Sequence, residues 1–430
     1  MDCMVLVSNP KLANENIHLI QYTIEKLDIG SLCNYVVFIL IYSKRERKLF
    51  DIIYSICVSN RDSRLNCKVY WILSYLKNFH TIYEKYYNEF SSVYSSLDVI
   101  SRNLIYLIGK YSKDDPFFLS KINKFENYVN IGVKRNTKKY KLNYPFNLDL
   151  DINRIDLKKI EIKNSNSAPS VITLETNEGI ERILFKSECV IQDMIISDMI
   201  SIISDLIEYP LVRYQVLPIS TSSGIIQIVP DSETVYTINQ KFKFSVQNYL
   251  FENNLDSTVS EIRNRFVKSS SIYSIITYLF GIGDRHLDNI MVTKDGSLFH
   301  IDFGFILGKD PKPMSPSMRI IKDLIDALGG EYSSYFKEFK ANCITTYNFL
   351  RNYSSSFLAM FNVLNENYLD KFKEEEIKKH ILERFMPNES GNTAEDNILV
   401  KISDGYDTFT SKLMIDAIHK QSKEYFHITF

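Results

Sequence analysis

The chain has 430 residues, 45% of them hydrophobic, enough for two or three domains with sizeable cores. A formal net charge of −1 excludes a bulk electrostatic pull toward nucleic acid. Six cysteines without CxxC spacing or His pairing argue against a zinc site or a disulfide framework. The longest apolar run, Tyr35 to Tyr42, is far short of the ~20 residues a membrane span needs.

Residues 1–141 read as a helical accessory domain. Apolar positions recur at helical spacing in Ile17-Ile20-Gln21-Ile24-Leu27, in Leu49-Ile52-Ile53-Ile56 and in Val69-Ile72-Leu73-Leu76. Gly30-Ser31, Asn60-Arg61-Asp62 and Asp114-Asp115-Pro116 mark breaks, so short helices joined by polar turns are expected, in a solenoid-like array without a fixed sequence period. Residues 1–150 carry 21 Lys and Arg against 14 Asp and Glu, whereas the remainder carries 30 against 38. A basic N-terminal part would suit an anionic membrane or an acidic partner, but a solvated helical surface explains it more simply. The run Val133 to Lys141 is the exposed end of this region or a linker. No basic-then-apolar leader opens the chain, so a cytoplasmic protein with at most peripheral membrane contact is expected.

The texture changes over residues 142–230, where short β-rich runs dominate: Val171–Leu174, Arg182–Lys186, Tyr214–Leu217 and Ile225–Val229. They bracket one amphipathic helix from Gln192 to about Glu208. Lys186 ends a strand, where its ammonium would reach a nucleotide phosphate. Ser165 and Ser167 lie between two predicted strands, in a turn whose N–H groups would approach phosphates. Asp193 opens the helix, where an acidic residue offsets the helix dipole, and Tyr214 would reach it by hydrogen bond. Gln227, Ile228 and Val229 would hold adenine through their backbone, with apolar side chains beside the ring.

Residues 231–430 turn helical again around one polar stretch, GIGDRHLDNIMVTKDGSLFHIDFGFILG, from Gly281 to Gly308. A helix beginning near Ser257 stops at Gly281. Met291-Val292 and Leu298–Ile301 form a strand pair across the turn Lys294-Asp295-Gly296. Magnesium-assisted phosphoryl transfer needs two oxygen ligands for the metal and a polar group on the attacking hydroxyl. Asn289 and Asp302 are the candidate ligands, both hard oxygen donors. Asp284 and His286 share the proton-handling role: either is the base, the other steadying charge. Arg285 and His300 read as structural. The chain is expected to close with an amphipathic segment from Leu413 to Phe426.

The order DRH, then Asn, then DFG resembles the phosphatidylinositol 3-/4-kinase superfamily, since protein kinases carry HRD with a longer gap before the Asn. Residues 145–430 are most similar to the class III phosphatidylinositol 3-kinases. Tyr214–Gly224, Ile276–Gly308, Lys309–Gly330, Phe339–Tyr353 and Ile418–Lys420 carry the likeness, and the N-terminal helices resemble that family's helical domain more loosely. The resemblance implies an α+β fold: a bilobal protein-kinase-like catalytic domain, small lobe 142–230 and large lobe 231–430, preceded by the all-α region. It also implies ATP with Mg²⁺ or Mn²⁺ as cofactors, and phosphatidylinositol in intracellular membranes as the substrate. A regulatory subunit is implied as a partner, although the family's C2 domain is not visible. The activation loop, Asp302 to about Ser317, holds only Lys309 and Lys312 with Arg319 just beyond, which fits a head group bearing only its bridging phosphate. The KDPKP stretch favours transfer to the 3-hydroxyl over the 4-hydroxyl. A related Ser/Thr protein kinase and an inert kinase-like scaffold are the competing expectations. Intact Lys186, Asp284, Asn289 and Asp302 argue against the scaffold.

Overall fold

Helix-start signals are frequent in the first ninety residues, and the chain uses them. Asn9 caps a helix that begins with Pro10, Asp28 accepts from the Ser31 amide, and Asp62 accepts from the amides of Arg64 and Leu65. The structure, a computed structural model, describes residues 2–44, 46–60, 62–93, 143–163, 169–241, 245–254, 259–312, 315–365 and 372–407. The linker run Val133 to Lys141, the breaks near Asp114 and the closing amphipathic segment lie outside the described residues.

The helices of the N-terminal region are α1 (Asp2–Ser8), α2 (Pro10–Glu15), α3 (Ile17–Lys26), α4 (Ile29–Ser43), α5 (Arg47–Ser59), α6 (Ser63–Leu76) and α7 (Thr81–Val93). Helix α6 is buried along nearly its whole length and sits at the centre of the array. Its Trp71 indole donates to the Pro145 carbonyl at 3.1 Å, tying the helices to the first strand turn.

The sheet after these helices is antiparallel and comprises β1 (Asn143–Tyr144), β2 (Asn147–Ile162), β3 (Ser170–Thr176), β4 (Ile180–Lys186), β5 (Val216–Ser220) and β6 (Ser223–Gln227), in the order β1-β2-β3-β4-β6-β5. The sequence implies β2 as the strand before Ser165 and Ser167 but gives it no bounds. Its residues do alternate, with Leu148, Leu150 and Ile152 apolar, but the alternation slips phase before Ile155 and again before Ile160. The β2–β3 register shifts in the same two places, between Ile152 and Arg154 and between Asp156 and Glu161. These irregularities in the ladder accompany the phase slips, which hide the strand from a strict period of two. Between β4 and β5 lies α8 (Ile191–Leu206), close to the expected span. All its residues from Ile191 to Ser204 are buried. A helix apolar around most of its circumference needs cover on more than one side, and α8 packs against both α4 and β5.

Past Pro230 come α9 (Val235–Lys241), α10 (Val246–Glu252), α11 (Val259–Phe280), α12 (Lys322–Ala327), α13 (Ser334–Arg351), α14 (Ser354–Asn362), a 3₁₀ turn at Val363–Asn365, α15 (Glu374–Phe385) and α16 (Gly391–Asp407). Strands β7 (Ser232–Thr234), β8 (Ile290–Thr293) and β9 (Leu298–His300) form a second antiparallel sheet. Helix α11 lines up with α13 and β9 and runs straight into the DRH loop. The chain divides into two compact units. One comprises residues 1–208, 213–229 and 359–373, and the other residues 209–212, 230–358 and 374–430. The fold is mixed helix and sheet, with a helical N-terminal region and a curled antiparallel sheet after it. Among the described residues no helix is long and apolar enough to cross a membrane.

Candidate functional site

In the first unit, β4 ends on Lys186, which is only 5% exposed. Its ammonium lies 3.0 Å from the Glu188 carboxylate, two residues on and largely in solvent. The residue between them, Ser187, lets the chain turn back within one bend, so the lysine is held by a local partner. Asp193 occupies the first turn of α8 and is buried. Ser197, one turn further on, donates to the Tyr214 carbonyl at 2.8 Å and so fixes the approach to β5. Gln227 closes β6: its N–H donates to the Gln215 carbonyl at 2.9 Å, and its side-chain oxygen accepts from the Gln215 N–H at 3.3 Å. The Ile228 N–H donates to the Arg182 carbonyl at 3.1 Å. Ser165 and Ser167 lie outside the described residues.

In the second unit, α11 ends at Phe280 and the chain reverses at Gly281, whose φ of +57° is ordinary for glycine. A Cβ at Gly281 would collide with the Gly308 backbone, and one at Gly283 with the Lys309 carbonyl. Both glycines are needed because the segment after DFG runs alongside. Leu307 N–H donates to Phe280 O at 2.8 Å, Gly308 N–H to Gly281 O at 2.9 Å, and Gly283 N–H to Phe305 O at 2.9 Å. His380 of α15 closes the crossing from below, with Nε2 2.9 Å from the Leu279 carbonyl. Burial lowers its pKa to about 4, so the ring is neutral at pH 7.

Arg285 organises the polar loop beyond this crossing. It is 4% exposed. Its Nε donates to Gly283 O at 2.8 Å, one terminal nitrogen donates to Ile301 O at 2.8 Å and to Asn289 O at 3.4 Å, and the other donates to Asp302 O. One planar fork thus holds the main chain of both candidate ligand residues, a job that a lysine point charge would do poorly. Strand β9 stops at His300, yet the Ile301 N–H still donates to Asn289 O at 3.1 Å. Asp284 and Asp302 both adopt left-handed backbone, with φ of +53° and +61°. Such conformations cost roughly 1–3 kcal/mol each for non-glycine residues and persist where the surroundings over-determine them. The Arg285 fork and the glycine crossing supply that constraint.

The side chains are set by this frame. The Asn289 amide nitrogen donates to Asp284 O at 3.0 Å, which leaves Oδ1 as the donor toward a cation. The Asp302 carboxylate is exposed to solvent. Two oxygen donors of this kind fit a hard divalent ion that takes its other ligands from phosphates and water. His286 Nδ1 accepts from the Asp288 N–H at 3.2 Å, so the neutral ring carries its proton on Nε2, which faces Asp284 Oδ2 at 3.6 Å. Burial lowers the His286 pKa, with the carboxylates of Asp284 and Asp288 opposing that shift. His300 is buried and stacked on Tyr273, as a structural residue would be.

Lys309 is exposed and Lys312 half-buried. A small polar depression is lined by Asp284, Arg285, Asp310, Lys312, Ser317 and Arg319, among others. Sequence reasoning missed Asp310. One of its carboxylate oxygens accepts from the Asp284 N–H at 3.0 Å and the other from the Lys312 N–H at 2.8 Å. An Asp followed by Pro is a turn signal, and that much was available from the sequence. The reach back to Asp284, across 26 positions, was not. Glu188 and His380 were missed as well: nothing in the sequence places His380 beside Gly281.

Residues 179–369 match the protein family described as phosphatidylinositol 3- and 4-kinase. Among curated proteins, phosphatidylinositol 3-kinase pik3 of Schizosaccharomyces pombe is 37% identical over 209 residues, 45% of this chain and 26% of the relative. The root isoform of phosphatidylinositol 3-kinase from Glycine max is 36% identical over 199 residues, 44% of the chain and 24% of the relative. Phosphatidylinositol 3-kinase VPS34 of Candida glabrata is 31% identical over 242 residues, 54% of the chain and 27% of the relative. The matched part thus spans about a quarter of the length of these relatives.

Proposed function

We propose, for a chain whose residues 179–369 form a phosphatidylinositol 3- and 4-kinase family domain, that it transfers the γ-phosphate of ATP to the 3-hydroxyl of phosphatidylinositol at a membrane surface. The observation that carries this reading is the hydrogen-bonded cluster around Arg285. It holds the main chains of Asn289 and Asp302, the Asn289 side-chain amide donates to the Asp284 carbonyl, and both candidate ligands carry side-chain oxygens. Asn289 and Asp302 would hold Mg²⁺ through their side-chain oxygens, and the ion would supply charge neutralisation for the transferred phosphate.

The histidine's hydrogen bonds favour one of the two assignments for proton transfer. His286 Nδ1 is engaged by the Asp288 amide and its other nitrogen carries a proton, so the lone pairs open to a substrate hydroxyl belong to the Asp284 carboxylate. Asp284 would accept the 3-hydroxyl proton while the His286 Nε2–H steadies developing negative charge. Lys186 would meet a nucleotide phosphate, with Ser165 and Ser167 offering backbone N–H groups to the phosphates and Asp193 and Tyr214 supporting that lysine's strand and helix. Gln227, Ile228 and Val229 would hold adenine. Two lysines, Lys309 and Lys312, suit a head group with a single bridging phosphate. Peripheral association with intracellular membranes, and a regulatory subunit, belong to the same reading, by analogy with the phosphatidylinositol 3-kinase relatives.

Incubating the chain with phosphatidylinositol vesicles and labelled ATP, then identifying the product isomer, tests it. Phosphatidylinositol 3-phosphate is expected. A 4-phosphate product, or transfer to a protein panel in place of lipid, overturns the assignment.

A further inference from the structure

Building on the lipid-kinase reading, we propose that Asp310 is a positioning residue that couples the activation loop to the proton-accepting group. Its contact with the Lys312 N–H is a local turn, spanning two residues. Its contact with the Asp284 N–H is not local, because that partner lies 26 positions earlier in the chain. A single carboxylate therefore holds one segment expected to face the lipid head group and one expected to face the reacting hydroxyl.

The backbone of Asp284 shows why that matters. Its carbonyl accepts from the Asn289 amide at 3.0 Å and from the His286 N–H at 3.0 Å. Its N–H has the Asp310 carboxylate. With φ at +53°, the residue sits in a conformation that only its surroundings maintain. Three anchors set its direction, and one of the three belongs to the activation loop. Gly283 permits the arrangement: a Cβ there would meet the Lys309 carbonyl and the Asp310 backbone. A shift of residues 309–312 would thus be felt at Asp284, and a small misplacement of an aligned catalytic group costs rate out of proportion to its size.

The full chain carrying Asp310→Ala or Asp310→Asn tests the coupling. With phosphatidylinositol vesicles, Asp310→Ala is expected to lose roughly 10- to 100-fold in kcat, the worth of one hydrogen bond to a charged acceptor. KM for ATP and the thermal midpoint should stay close to wild type. Asp310→Asn keeps one acceptor oxygen and should fall between the two. Hydrogen exchange over residues 281–289 should rise in Asp310→Ala and less in Asp310→Asn. Wild-type kcat in Asp310→Ala overturns the proposal, as does a loss that tracks a lowered thermal midpoint and is not relieved in Asp310→Asn. If the wild-type chain forms no phospholipid, the lipid-kinase reading falls by itself. The anchoring role is then decided by exchange alone, and unchanged exchange in Asp310→Ala removes it.

Discussion

Lys68 and Arg285 are both buried cations, and the two regions that hold them satisfy the charge in different ways. Lys68 of α6 meets the Asp198 carboxylate of α8 at 2.5 Å, with both side chains under a tenth exposed. Arg285 donates instead to the carbonyls of Gly283, Asn289, Ile301 and Asp302. In the first region the charge pair joins α6 directly to α8, two helices that each pack against α4 and β5. The arrangement is costly, because two ions leave water. Asp198 Oδ2 is buried with no hydrogen-bond partner, and burial raises the carboxyl pKa to about 6. In the second region four carbonyl dipoles receive the fork, and their geometry is what the fork controls. The difference teaches where each residue's effect should be read: Lys68 in stability, Arg285 in the geometry of the DRH loop.

Asp302→Ala should break the comparison most sharply. Removing an exposed carboxylate costs little folding energy, yet turnover should fall by at least ~10³-fold if it holds the metal. A thermal midpoint near wild type with lost transfer is the expected pair of readings, and retained transfer would remove Asp302 from the metal site. Next comes Lys68→Met, which leaves Asp198 buried without its counter-charge and should destabilise by about 3–5 kcal/mol in denaturant unfolding. The double variant Lys68→Met/Asp198→Leu should recover most of that loss, because an apolar pair needs no desolvation. Failure to recover would mean that the pair stabilises the junction outright.

Arg285→Lys should act in the opposite sense, lowering kcat about 10- to 100-fold with a smaller change in stability, since an ammonium cannot reach four carbonyls at once. Equal losses in both readings would make Arg285 a packing residue. The smallest effect is in pH. Asp198 titrates near 6 when folded and near 3.8 otherwise. Across that window the folded chain holds the proton and the unfolded chain does not, so stability falls as pH rises from about 4 to about 6. Asp198→Asn lowers stability overall but should flatten this slope, as measured by thermal unfolding at successive pH values.

Much of the second region was legible because its chemistry lies close along the chain. Asp284, Arg285, His286 and Asn289 fall within six positions, and the strand pair that returns Asp302 is announced by Lys294-Asp295-Gly296. Helix α8 was legible from its apolar content. The extent of strand β2 was not, because its register shifts twice. Lys68 and Asp198 were not, because a lone lysine on an amphipathic helix reads as a solvated one, and the residue that makes it otherwise stands 130 positions away.

Local patterning gave most element types, the order of the polar motif and the resemblance to a kinase family, since hydrophobic period, turn residues and motif spacing are properties of neighbours in the chain. Only the tertiary structure decided that Arg285 serves carbonyls, that His286 keeps its proton on Nε2, that Asp310 reaches Asp284 and that Lys68 is buried. Those outcomes depend on which distant groups share a desolvated volume, and hydrogen-bond geometry there is set by packing that no short stretch of sequence contains.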